Sequence, residues 1–164
     1  MTLNQVYSGV TSNARKHGLT ARPNPLSLLE WYRVIMNNPD AEIFFTEHMN
    51  NRQSLAFSLA KAEVCLRRSL EIERQFEHGH DPLFEKLAVV QDEHKTYLSA
   101  ILQVSPNGKI RRGFCRFLRM LVNDIDDLQC KIKKRKRLLL RYKNEAQSKQ
   151  RTAQKAWCDQ FKRD

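Results

Sequence analysis

Glycine and proline are scarce, with 5 of each in 164 residues. Both fall mostly outside the apolar stretches, which excludes a turn-rich β fold and leaves long helices. The same scarcity speaks against most enzymes of this size, whose sites need glycine-bearing loops. The four cysteines, Cys65, Cys115, Cys130 and Cys158, form no CxxC pair, so the close pairs of a structural zinc site are missing. All four fall in helical stretches, where cysteine is expected as a small buried apolar residue. The opening MTLNQVYSGV lacks the apolar core of a signal peptide. No apolar run approaches the ~20 residues needed to span a bilayer. The expectation is a cytoplasmic chain with reduced thiols and no membrane contact. Nucleophile elbow, phosphate loop and dinucleotide fingerprint are also missing, so the reading is non-enzymatic and without a cofactor.

Two clusters could still bind a metal. His78, Gly79, His80 and Asp81 form one with His94 nearby, but HExxH spacing is lacking and metal sites need three or four converging ligands. A polar interhelical loop is the preferred reading, with His94 a seam residue. Asp124, Asp126 and Asp127 form the other, but they are not spaced i, i+4 and converge poorly on one face. A solvated acidic face is preferred there, and no metal is expected.

What is present is helical periodicity. Residues 1–24 lack it and read as a flexible N-terminal segment. Residues 25–50 read as a short helical hairpin. Its first helix carries Leu28, Leu29, Trp31, Tyr32, Ile35 and Met36, with a Ser27–Glu30 capping box, and stops at Asn37, Asn38 and Pro39. Asp40 is the expected cap of the second, around Ile43 and Phe44. Residues 51–164 read as a bundle of long helices. A stripe from Leu55 through Leu59, Ala62, Leu66 and Ser69 to Phe76 ends at EHGHDP, where Asp81 caps a further helix with Pro82 at its first position. That helix carries Leu83, Leu87, Val90, His94, Tyr97 and Ile101 and ends at a Ser105–Gly108 turn. Similar lengths, about 27 and 24 residues, predict an antiparallel hairpin of these two.

The last stripe runs from Phe114 through Leu121, Leu128 and Leu139 to Ala156, with 3–4 spacing throughout. A helix over about 111–161 is ~75 Å long. Two shorter helices packed side by side would cover only about half of it, so the basic C-terminal half is expected to project, with dimerisation as a way to bury its residual seam. The fold class is thus all-α, an N-terminal hairpin plus an antiparallel bundle with a projecting basic helix.

The net charge of +11 is concentrated in that half. Residues 131–164 hold 13 Lys/Arg and 3 Asp/Glu, a balance of +10; the remaining 16 Lys/Arg and 15 Asp/Glu leave +1 for residues 1–130. Such asymmetry points to an anionic partner. The candidate nucleic-acid-binding residues are Lys131, Lys133, Lys134, Arg135, Lys136, Arg137, Arg141 and Lys143, joined by Arg111 and Arg112 at the helix start. Contact would be with phosphates, salt-dependent and weakly sequence-specific. Cations at a helix N-terminus oppose the macrodipole, which a phosphate ligand would explain as well as acidic neighbours would. Trp31, Tyr32, Phe44 and Phe45 are the candidate protein-partner residues. A solvated charged helix is the competing reading of the basic run.

The stretch NPLSLLEWYRVIMNNPDAEIFFTEHMNNRQSLAF (24–57), followed by long charged helices, resembles the replication gene B proteins of P-two-like temperate phages. The likeness is one of layout across most of the chain, without a diagnostic motif. It implies a helicase loader or adaptor that contacts a replicative helicase and DNA in a bacterial host cytoplasm. The alternatives are a dimeric nucleic-acid-binding regulator and a protein-interaction module that inhibits a host factor.

Overall fold

The protein is described by a computed structural model over residues 22–43, 49–104 and 112–162. The fold is all-α, with no strand among the described residues. Among the described residues four helices follow in order: α1 (Pro25–Met36), α2 (Asn51–Glu77), α3 (Pro82–Val104) and α4 (Arg112–Gln160).

Local chemistry sets each boundary. Asn24 caps α1, its Oδ1 accepting from Leu26 N–H at 3.0 Å, and Pro25 occupies the first turn where its missing donor costs nothing. The Ser27–Glu30 box expected to start this helix therefore lies inside it. Asn37 ends α1 in the left-handed region at φ 51, and the Asn38 amide reaches back to Arg33 O at 3.0 Å. The expected stop at Asn37–Pro39 is thus observed. Of the stretch expected as a second short helix, residues 41–43 are non-helical, and 44–48, with Phe44 and Phe45, lie outside the described residues. Asn50 opens α2. Its Oδ1 accepts from Gln53 N–H at 2.8 Å while Gln53 Oε1 accepts from Asn50 N–H at 3.0 Å, a reciprocal capping box. The α2–α3 turn closes with Gly79 at φ 78 and the His80 amide on Gln75 O at 3.0 Å. Asp81 then caps α3, its Oδ1 accepting from Leu83 N–H.

The chain divides into two units, each with its own packing. The first holds α1, α2 up to Ile72 and α4 from Leu140. Its core is Tyr32 on α1 against Ala56 and Ala60 on α2, with Trp31, Ile35, Phe57 and Trp157 packed around them. The two alanines, one turn apart, leave room for the Tyr32 ring. The leucine stripe read from the sequence does not include this alanine face, because α2 has two neighbours rather than one.

The second unit holds the last turn of α2, α3 and α4 up to Leu139. Here α3 and α4 run antiparallel: Tyr97 meets Phe117 with ring centroids 4.4 Å apart, and Asp81 meets Arg135 at 3.3 Å. Ile101, Leu121 and Leu139 are buried in this unit, each such side chain contributing about 1.5–3 kcal/mol.

One expectation changes. Within the first unit α2 shares its packing with α1 and the C-terminal part of α4, and within the second α3 pairs with the N-terminal part of α4. The continuous α4 is as expected, 49 residues without a break, but its C-terminal half does not project. Ala146 is buried, and Trp157 packs on the core of the first unit. The physical reason lies in the first unit, where α1 and α2 supply the core on which Trp157 packs.

Candidate nucleic-acid interface

Along α4 the basic run separates by helix face. Arg135 sits at a seam position and turns inward. Its Nε donates to Asp81 Oδ2 at 3.3 Å, with side chains 13% and 14% exposed, and its second guanidinium nitrogen is buried without a hydrogen-bond partner. Arg135 is therefore a clamp on the α3 cap and is withdrawn from any phosphate surface. Lys143 is half-buried and already engaged with another residue. Lys131 is exposed but hydrogen-bonds Asp127 one turn back, and that bond, with the Asp127 charge, raises its pKa above the usual lysine value. Lys133, Lys134, Lys136, Arg137 and Arg141 are exposed. Among the described residues, Lys133, Lys134, Lys136 and Arg137 form no ion pair.

The exposed cations line up. Lys133, Arg137 and Arg141 follow at i, i+4, i+8 on the side of α4 opposite buried Leu139, each step about 6 Å along the axis. The same outward row, traced toward the helix start within the second unit, passes Cys130, Asp126 and Asn123 to Arg119, Arg116 and Arg112, all exposed. Two basic stretches far apart in the sequence therefore share one side of one helix, interrupted at Asp126. Arg116 and Arg119 belong to the basic stretch KIRRGFCRFLR that opens this helix, and the 3–4 spacing back from Lys133 is the signal that joins them to the second stretch. No acidic residue occupies the first turn of α4, so Arg112 has no acidic neighbour there. Arg111 lies outside the described residues.

Stacking groups are not part of this row. Trp157 is in the core packing with the Arg52 guanidinium 6.0 Å above it, Phe161 lies under the same guanidinium at 5.7 Å, and Tyr142 is half-buried. Contact along the row is limited to charge and hydrogen bonds.

The nominated protein-partner residues fare differently. Tyr32 is only 1% exposed and its burial raises its pKa above 10.0, so it is core and not contact surface. Trp31 is half-buried under the Arg67 guanidinium, 4.2 Å from its ring centroid. The apolar side chains that α1 does present are Leu26 and Val34, 70% and 68% exposed. A hollow of about 260 Å³ beside α1, lined by Tyr32, Met36, Asn38, Asp40, Glu42 and Gln53, is smaller than the ~300–1,000 Å³ of small-molecule sites.

No group of three or more metal-ligating side chains converges among the described residues, and none of the described helices is long and apolar enough to cross a membrane. Cys115, Cys130 and Cys158 are exposed and Cys65 half-buried, which corrects the expectation of buried thiols: all three exposed positions lie off the α4 seam. Comparison with known protein families, curated proteins and solved structures finds no match to this chain.

Proposed function

We propose that the protein is a non-enzymatic DNA-contacting accessory factor of the replication-adaptor kind, acting in the cytoplasm. The exposed cations of α4 grip phosphates, and a protein partner, a replicative helicase in the reading suggested by the resemblance, docks elsewhere. The observation that carries the DNA part is the exposure of Lys133, Lys134, Lys136 and Arg137 together, none ion-paired among the described residues, on a helix whose inward side is already occupied. A helix basic only to stay soluble would gain from intrahelical acidic partners such as Asp127 gives Lys131; these four have none.

Phosphate contact makes affinity fall with salt, with a slope of about 0.9 per neutralised phosphate on duplex DNA. Replacing the four cations by glutamine should lower the magnitude of the salt slope by about 3–4, measured by fluorescence anisotropy on mixed-sequence duplexes. Lys131→Gln should change it less than Lys133→Gln, because Asp127 already offsets the Lys131 charge. Wild-type protein that binds no DNA at low salt, or a quadruple variant with an unaltered slope, would overturn the reading. Affinity purification from bacterial lysate tests the protein arm: recovery of a replicative helicase supports the adaptor role, and its absence leaves a regulator that binds DNA alone.

Leu26 and Val34 favour a second reading, a protein-interaction module whose contact surface is α1. In that case Leu26→Glu with Val34→Glu abolishes partner capture while the salt slope on DNA is nil from the start.

A further inference from the structure

Resting on the DNA reading already proposed, we infer that the form of nucleic acid taken by the second unit is a duplex laid lengthwise along α4. Its phosphates are held at two places, and its major groove spans the acidic interval between them. Charge along the outward row of this unit follows the pattern cation, acid, cation. Arg112, Arg116 and Arg119 form one anchor; Lys133 and Arg137, with Lys134 beside them, form the other, and all are exposed. Asp126 stands midway and is exposed too. The residues three and four positions from it on either side are Val122, Asn123, Gln129 and Cys130, so no lysine or arginine offsets its charge within the helix. α4 runs through both anchors without a break, which fixes their separation. Arg119 and Lys133 are fourteen residues apart, about 21 Å along the axis.

That spacing discriminates between nucleic acids. A single strand following the helix would carry a phosphate past Asp126 at every nucleotide, each meeting an uncompensated carboxylate. A duplex alongside the helix presents phosphates only where one of its backbones crosses the line of contact. Its grooves are about 12 and 6 Å wide, and a turn of about 34 Å divided in that ratio puts roughly 22 Å between crossings over the major groove and roughly 11 Å over the minor. The first interval is that from Arg119 to Lys133, which sets Asp126 over the groove, where no phosphate lies. The second is that from Arg112 to Arg119, about 10 Å. The reach of arginine and lysine side chains covers the small differences. No aromatic residue stands on this row, so the stacking that holds unpaired bases is missing, and the contacts are with backbone.

The test is fluorescence anisotropy of the full chain at low salt on a mixed-sequence duplex and on one of its strands alone. It compares wild type, Asp126→Asn, and a triple variant carrying Arg112→Gln, Arg116→Gln and Arg119→Gln. All four positions are exposed, so folding should survive, and circular dichroism checks the helicity of each variant. Wild type should bind the duplex at least ~tenfold more tightly than the strand. The triple variant should lower the magnitude of the salt slope on the duplex by about 2–3. Asp126→Asn should strengthen strand binding several-fold and leave duplex binding within about twofold. Equal affinity for strand and duplex overturns the inference. So does a triple variant with an unaltered slope, or an Asp126→Asn that strengthens both forms alike. In each of these cases a slope still lowered by replacing Lys133, Lys134, Lys136 and Arg137 leaves the DNA reading standing; wild type that binds neither form overturns both.

Discussion

One carboxylate does two structural tasks at Asp81: Oδ1 caps α3 and Oδ2 holds Arg135. The first task was legible in the sequence, because Asp before Pro at a helix start has a fixed meaning. The second was not. Arg135 stands in a run of cations, and only the position of Asp81 distinguishes it from Lys134 or Lys136. The two tasks separate experimentally. Asp81→Asn keeps the cap and loses the ion pair, and for a pair this nearly buried we expect a cost of about 1–3 kcal/mol in urea unfolding. Asp81→Ala loses the cap as well and should cost about 1 kcal/mol more. Arg135→Met should recover most of the Asp81→Asn loss, since it removes a buried guanidinium that already lacks one partner. No recovery would mean that the pair is incidental. Tyr32 gives a residue-scale pH effect. Its raised pKa means that the folded state holds the phenolic proton more tightly than the unfolded chain does. Its contribution is therefore complete below about pH 10 and lost as pH rises above that value. Tyr32→Phe should reduce the drop in urea midpoint between near pH 8 and about pH 11, and an identical drop in the variant would refute the burial argument.

At the scale of elements, helix existence and most ends were legible, because Pro, Gly and Asn punctuate the chain where helices stop. What α2 packs against was not. Its leucine stripe shows one neighbour, while the Ala56–Ala60 face that receives Tyr32 reads in the sequence only as good helix formers. The length of α4 was legible too; its coverage was not, because the period of a seam says that something lies on it and not which helix does. Leu139 decides between the two arrangements. A projecting C-terminal half would make Leu139→Asp mild. At 3% exposure, equal to Leu121, Leu139→Asp should destabilise as severely as Leu121→Asp, by several kcal/mol or outright unfolding, because each buries a carboxylate in an apolar seam. Leu140→Asp, at a position 47% exposed, should cost less than about 1 kcal/mol. Thermal melts of the three variants check the order, and a mild Leu139→Asp would restore the projecting helix.

For the whole molecule, the difference between the units is one of core. The first gathers three helices around a fully buried tyrosine. The second relies on one line of contact between two helices and leaves Leu102, Met120 and Val122 in water. Charge asymmetry, the strongest signal in the sequence, bears on partners and not on this division; the division follows from where α1 docks, which composition does not encode. Local stability should therefore differ along the single helix α4. Fewer buried apolar contacts mean a lower opening free energy, so amides over 114–130 should exchange faster with deuterium than those over 144–157, measured by mass spectrometry at low protein concentration. Helix length does not produce that contrast, since both stretches lie well inside α4. Equal protection in the two stretches would contradict the unequal cores.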